Sequence, residues 1–189
     1  VINNHDRANW FGASDTGYIV GNWTTKSFAS WWLVKCGVTK NNFVTKEMIT
    51  GTHYEHKILD ELGIVDRDRQ IKIRKLRLRV NLDGEEENYI NEVKTYNNEK
   101  VFKVKKSYWR QVQVQMYASK KGAKIIAYGL EPEDYYNFYN PIDIKRISIH
   151  HIDYDSNFIE QEYLPKLKYL AKCLRTKAIP SMENYQKVI

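Results

Sequence analysis

Asp83, Glu92 and Lys94 lie close together in the chain. Asn81-Leu82-Asp83-Gly84 is followed, seven residues on from Gly84, by Asn91-Glu92-Val93-Lys94. Residues two apart on a strand share a face, so Glu92 and Lys94 are expected to project together while Val93 points away. A reversal through residues 85–88 would bring Asp83 beside them on the neighbouring hairpin strand. Two carboxylates offer hard oxygen ligands to a divalent cation. An ammonium next to them would stand near the spot where a phosphate and an attacking water meet. Metal-assisted hydrolysis of a phosphodiester needs those parts. The same residues would also serve as a plain buried ion pair, since a carboxylate near a core must be paired or metal-bound.

Glu55 adds a third acid on a helix that begins after residue 45. Gly51 shares its face four residues earlier, so open space beside Gly51 would be the space in front of Glu55. Gln111 and Gln115, also four apart, share one face of a later helix; their amides are suited to orienting a ligand or water at a carboxylate cluster. His53 and His56 lack the i, i+4 spacing of a zinc helix. His150 and His151 are adjacent on a strand and read as structural.

The elements that must position these groups follow from periodicity and caps. Residues 10–22, with three glycines, read as a turn or loop. Thr24 or Thr25 caps a helix to Lys35, closed at Gly37. A second helix spans 45–62, with Ile49, Tyr54, Ile58, Leu59 and Leu62 as its apolar stripe and Gly63 past its end. Residues 70–83 alternate with period two, and a slip of phase at Lys75 suggests a bulge or bend. A returning strand covers 89–96, Ser107 caps a helix to about Lys120, strands follow at 125–130 and 144–152, and a last amphipathic helix covers 158–174. That order describes an α/β layered domain.

The chain has 189 residues, 42% of them hydrophobic, enough for one well-buried core, and no linker or repeat divides it, so residues 1–189 read as a single domain. No apolar run is long enough to span a membrane and no secretory signal pattern is legible. Cys36 and Cys173 are too few for a disulfide framework or a zinc site and read as buried thiols in a reduced cytoplasm. Thirty Lys+Arg against 23 Asp+Glu give a net charge of +7, which favours an anionic partner such as nucleic acid. Lys100, Lys103, Lys105 and Lys106 precede Tyr108-Trp109-Arg110. A basic loop there would hold a phosphate backbone, with Trp109 either stacked on a frayed base or in the core.

Five short blocks in order, Gly12-Ala13-Ser14-Asp15, Gly51-Thr52-His53-Tyr54-Glu55, Leu82-Asp83-Gly84, Glu92-Val93-Lys94 and Tyr108-x-x-Gln111-Val112-Gln113-x-Gln115, resemble the YqaJ-type viral recombinase exonucleases. These are relatives of phage lambda exonuclease in the PD-(D/E)xK nuclease superfamily. The resemblance covers residues 7 to about 118. It implies a restriction-endonuclease-like core with a central mixed β-sheet flanked by helices. It implies Asp83 and Glu92 as metal ligands with the Val93 carbonyl, Glu55 as the assisting helix acid, Lys94 as the catalytic lysine and Gln111 as the glutamine behind the site. Arg7 and Ser14 would grip a 5′-terminal phosphate, and Gln115, Lys103, Lys105, Lys106 and Trp109 would meet DNA. The activity implied is a 5′ to 3′ exonuclease on double-stranded DNA ends, using two Mg²⁺ or Mn²⁺ ions, in phage recombination within a bacterial cytoplasm. A homotrimer and a single-strand annealing protein are the implied partners. Two departures stand out: Leu82 occupies the position where the superfamily often has proline before the aspartate, and the chain is short for the family. The alternatives are a restriction- or repair-type endonuclease with the same metal site, and an inactive DNA-binding module.

Overall fold

The structure, a computed structural model, describes residues 7–40 and 44–187. Its strands are β1 (Asp66–Ile73), β2 (Leu78–Glu85), β3 (Tyr89–Asn97), β4 (Gly122–Leu130) and β5 (Ile147–Ile152), hydrogen-bonded in that order in one sheet. β3 and β4 are parallel and the other neighbours antiparallel. The helices are α1 (Thr16–Val20), α2 (Lys26–Lys35), α3 (Lys46–Glu61), α4 (Lys106–Ser119), α5 (Leu164–Thr176) and α6 (Met182–Gln186). A parallel pair needs a crossover, and α4 supplies it. The result is the expected restriction-endonuclease-like α/β core, a mixed sheet with helices on both faces.

Each face has its own core. On one, Tyr54, Ile58 and Leu59 of α3 pack with Val93, Ile126, Tyr128 and Leu130. On the other, Phe28, Trp31 and Trp32 of α2, Val112 of α4 and Leu167 and Leu170 of α5 join a larger cluster with Leu78, Val80, Leu82, Ile90 and Ile125. β4 is therefore buried continuously from Ile125 to Leu130, as expected of a strand covered on both faces.

The cap of α2 is one of the two expected, Thr25, which accepts from the Phe28 N–H; Thr45 caps α3 in the same way, accepting from the Met48 N–H. Other expectations need correction. The phase slip at Lys75 is neither bulge nor bend. A 3₁₀ turn, Arg74–Leu76, with Arg77 at φ +52°, reverses the chain and makes 66–85 a hairpin. Residues 10–22 contain a 3₁₀ turn (Ala13–Asp15) and α1 rather than loop alone. α4 begins at Lys106, so Ser107 lies inside it, and the left-handed residue that ends it is Lys120, φ +63°. Residues 144–146 form a 3₁₀ turn ahead of β5. The last amphipathic segment opens with a π-helical stretch, Phe158–Tyr163, before Pro165 enters the first turn of α5. Ile49 faces solvent and Thr50 takes its place in the buried stripe of α3. Cys173 is buried as expected, but Cys36, just past the end of α2, is exposed.

A buried carboxylate ties the segment after β4 to α3. Asp134 accepts from Tyr54 Oη at 2.7 Å, Arg146 Nη1 at 2.6 Å, the Glu131 N–H at 2.9 Å and Asn140 Nδ2 at 3.2 Å. Burial alone would push its carboxyl up, but these bonds hold it below the ordinary 3.8. Their stabilisation is therefore complete above pH 3.8 and fades as the pH falls below it. Asp134→Ala would leave the Arg146 guanidinium facing an empty site. Urea denaturation at neutral pH is expected to show a loss of roughly 3–5 kcal/mol.

Candidate active site

The β2–β3 ladder is short. It pairs Gly84 with Asn91 and Glu85 with Ile90, and then the strands part. Just beyond the last pair, the Val93 N–H donates to Asp83 Oδ2 at 2.9 Å. A carboxylate has taken the place a strand carbonyl would hold, and this fixes Asp83 against the middle strand of the sheet.

Glu92, one residue earlier on β3, is buried and faces α4. Its Oε1 accepts from Lys94 Nζ at 2.5 Å and from Gln111 Nε2 at 2.6 Å, and its Oε2 accepts from Gln115 Nε2. Gln111 Oε1 in turn accepts from Lys94 Nζ at 3.3 Å. Glu92 and Lys94 thus share a face, as period two requires. Burial by itself would lower the Lys94 pKa, but the charges of Glu92 and Asp83 outweigh it and raise the ammonium above its ordinary value. Lys94 stays a cation at neutral pH.

Glu55 reaches the same region from the opposite layer. The space beside Gly51 is not open, which corrects the sequence expectation: a Cβ there would stand 3.2 Å from Thr95 Oγ1. Gly51 lets α3 settle on β3, and Glu55 follows one turn later. Burial and the Glu92 carboxylate push the Glu55 pKa up to about 7. Burial, then Glu92 and Glu55, push Asp83 well above its usual range, against the pull of Lys94 and the Val93 N–H. Glu55, Asp83, Glu92 and Lys94 therefore form one electrostatic group with more acid than base.

The remaining candidates divide. Arg7 and Ser14 line one pocket, about 660 Å³, with Lys35 and Lys40. In its wall the buried Asp15 binds Lys35 at 2.5 Å and Trp31 Nε1 at 2.8 Å. Lys103 and Lys105 on the segment between β3 and α4, and Lys106 at the start of α4, are exposed. Trp109 is partly buried and packs on Phe158 with ring centroids 4.9 Å apart. Gln115 is not at a DNA-facing surface: it is 1% exposed, and its amide bridges Glu92 and the Asn81 carbonyl. The reason is helical spacing, because one turn beyond Gln111 the face of α4 already lies over the sheet interior.

Sequence reasoning missed Asp68. Arg67 pairs with Gly84 and Arg69 with Leu82, so Asp68 stands opposite Asp83 on β1, with φ +57°. Its Oδ2 lies 2.9 Å from His56 Nε2. Among the described residues, the donor atoms of Glu55, His56 and Asp68 lie within 4.8 Å of one another. The hairpin reversal at residues 74–77 was the missing signal, since without it Asp68 has no reason to face Asp83.

The surplus of acid has a measurable consequence. A carboxyl whose pKa is raised on folding makes stability fall as pH rises from its ordinary value toward the shifted one. In EDTA, the Glu55 contribution to unfolding free energy is expected to fall as the pH rises from 4.5 to about 7. Glu55→Gln should flatten that slope, as read by urea denaturation across the range; an unchanged slope would place the titrating group elsewhere.

No protein-family profile matches the sequence, and no curated protein does. Solved structures do. The chain is similar to an alkaline exonuclease from Laribacter hongkongensis, with TM-score 0.68 and 16% identity over 95% of this chain and 93% of that one. It is also similar to a phage-related exonuclease from Haemophilus somnus 129PT, with TM-score 0.61 and 14% identity over 89% of this chain and 96% of that one. At such identities the likeness is one of fold: the chain has the fold of these exonucleases, the one implied by its resemblance to the YqaJ-type and lambda exonucleases.

Proposed function

We propose that this protein is a Mg²⁺- or Mn²⁺-dependent deoxyribonuclease that degrades double-stranded DNA from its ends in the 5′ to 3′ direction. The observation that carries the reading is the convergence of Glu55, Asp83, Glu92 and Lys94, from α3, β2 and β3, on one place in the sheet. The fold shared with exonucleases is consistent with it.

The donor set fits hard divalent cations. Carboxylate oxygens of Asp83, Glu92 and Glu55, with the Val93 carbonyl, are the ligands such ions take. Burial and then mutual repulsion raise the pKa of Glu55 and Asp83, and positive charge among the acids relieves the repulsion. When bound, two such ions supply a Lewis acid for the scissile phosphate and a more acidic water. Lys94, fixed by Glu92 and Gln111, remains an ammonium; it orients the attacking water and stabilises negative charge developing on the phosphate rather than removing a proton. Gln111 holds Lys94 and Glu92 in register with each other. Gln115 anchors Glu92 from behind and is a positioning residue.

The Arg7 and Ser14 pocket supports end recognition. A guanidinium and a hydroxyl are good donors to a terminal phosphate, and Lys40 adds positive charge in the same walls, Lys35 there being paired with Asp15. Lys103, Lys105 and Lys106 supply backbone contacts that carry no sequence information. Residues 1–189 act as one domain in this reading. A homotrimer enclosing the duplex and an annealing protein for the product strand, in a phage-infected bacterial cytoplasm, complete it. No helix among the described residues is long and apolar enough to cross a membrane.

Asp83→Ala and Lys94→Ala are each expected to slow Mg²⁺-dependent digestion of linear duplex by about a hundredfold or more. Digestion that survives either change would remove the nuclease assignment. On end-labelled duplex, Arg7→Ala should abolish the preference for 5′-phosphate over 5′-hydroxyl ends. Covalently closed plasmid should persist; its cleavage would favour the endonuclease reading.

A further inference from the structure

We propose that the segment between β4 and β5 is a rigid aromatic platform that takes unpaired bases of a DNA single strand at the rim of the candidate cleft, through Tyr136 and Tyr139. The proposal deepens the nuclease reading and rests on it for the identity of the ligand.

Within this segment the aromatic residues divide by role. Tyr135 and Phe138 turn inward onto the core beneath α3, whereas Tyr136 is 81% exposed and Tyr139 94% exposed. A mobile loop would explain such exposure, but this segment is clamped. Asp134 binds Tyr54, Arg146 and Asn140; Lys57 Nζ donates to the Phe138 carbonyl at 2.9 Å; and Tyr54 Oη also lies 3.2 Å from the Asn137 carbonyl. Either side of Tyr139, Asn137 and Asn140 are joined by their own amides at 2.7 Å. A backbone held this firmly fixes the points from which the two side chains project, and Lys46 lies over the Tyr136 ring. A segment already ordered in this way loses little backbone entropy when a ligand stacks on its rings.

The location links Tyr136 to the cleft. Tyr135 and Tyr136 line a pocket of about 230 Å³ with Lys46 and Asn97. Asn97 is three residues beyond Lys94 on β3, about 10 Å along an extended strand. Lys46, at the start of the helix that carries Glu55, lies 3.3 Å from the Tyr136 ring centroid. The Asn98 N–H donates to the Leu130 carbonyl at 2.9 Å. The lysine-bearing segment after β3 and the tyrosine-bearing segment after β4 therefore leave the sheet side by side.

Base faces stack on aromatic rings without regard to sequence, and lysines track the backbone between them. Amide and lysine neighbours and a net charge of +7 suit that ligand better than the apolar surface of a protein. A strand leaving the cleft past Lys94 along β3 would come to Asn97 and the pocket it shares with Tyr136.

The test is binding alone, in EDTA, by fluorescence anisotropy of a labelled oligo-dT and of a blunt duplex. The double variant Tyr136→Ala/Tyr139→Ala is expected to bind oligo-dT about tenfold more weakly, with duplex affinity changed by less than about twofold. Tyr136→Phe/Tyr139→Phe should keep the wild-type affinity, since stacking needs the ring and not the hydroxyl. Unchanged oligo-dT affinity in the alanine variant, an equal loss on duplex, or an equal loss in the phenylalanine variant would each overturn the platform. Both rings are exposed, so the thermal midpoint should not move, and a fall in it would assign the effect to folding and reject the proposal. No cleavage is read, so the platform can fail while digestion through Asp83 and Lys94 stands, and the reverse.

Discussion

The parting of β2 from β3 beyond Gly84 and Asn91 is the constraint on which the site depends. In a continued ladder the Val93 N–H would be taken by a backbone carbonyl, and Asp83 would be one more half-buried side chain on a hairpin. Because the strands separate, the N–H needs another acceptor, as buried backbone donors are seldom left alone. The Asp83 carboxylate supplies it. The local failure of pairing thus fixes an acid against the centre of the sheet, and the gap it leaves gives Glu55 and Lys94 a common space to address. Gly84 helps position the hairpin under α3: a Cβ there would stand 2.8 Å from Leu59 and 3.0 Å from Ile64.

Burying acids in this gap has a cost that the neighbouring elements offset unevenly. Glu92 is surrounded by donors, two glutamine amides from α4 and the Lys94 ammonium, so its charge is satisfied within the protein. Asp83 has the Val93 N–H as its backbone donor, and Glu55 feels mainly burial and the other acids. Their pKa values move up for that reason. The asymmetry separates roles within the cluster: Glu92 is oriented by the scaffold, with one donor on its Oε2, while Glu55 and Asp83 are the acids whose charge most needs an added cation. Such tuned acids are a feature of functional sites. The buried Asp15–Lys35 pair and the Asp134–Arg146 pair show the contrasting structural solution, in which each acid has its own cation.

Much of this was legible from residue types and spacing. Period two placed Glu92 and Lys94 on one face, and helical spacing put Gln111 and Gln115 on one face of α4. A threonine cap opened α2, and Gly63, with positive φ, closed α3. What escaped were features set by chain reversal and layer packing. A phase slip at Lys75 reads alike as a bulge or as a hairpin, and only the second carries Asp68 across to Asp83. Gly51 announced a close approach, but nothing in the sequence said whether a ligand or a strand would make it; Thr95 does. The resemblance put Gln115 against DNA, yet α4 crosses the sheet there and buries it. Cys36 looked like a core thiol but falls one residue beyond the end of α2.

The parallel pairing of β3 with β4 explains why the candidate binding segments lie on the same rim. Antiparallel neighbours send their connections to opposite ends of a sheet, whereas a parallel pair sends both C-terminal exits the same way, which is where ligands gather in α/β sheets. Here the exit from β3 carries lysines and the exit from β4 carries tyrosines. The α4 crossover that makes the pair parallel also delivers Gln111 and Gln115 to Glu92. One topological choice therefore places the support of the acid and the surroundings of the cleft together. A change that unseated α4 would be expected to disturb Glu92, Lys94 and both exits at once, whereas changes on the exposed rings would leave the acids where they are.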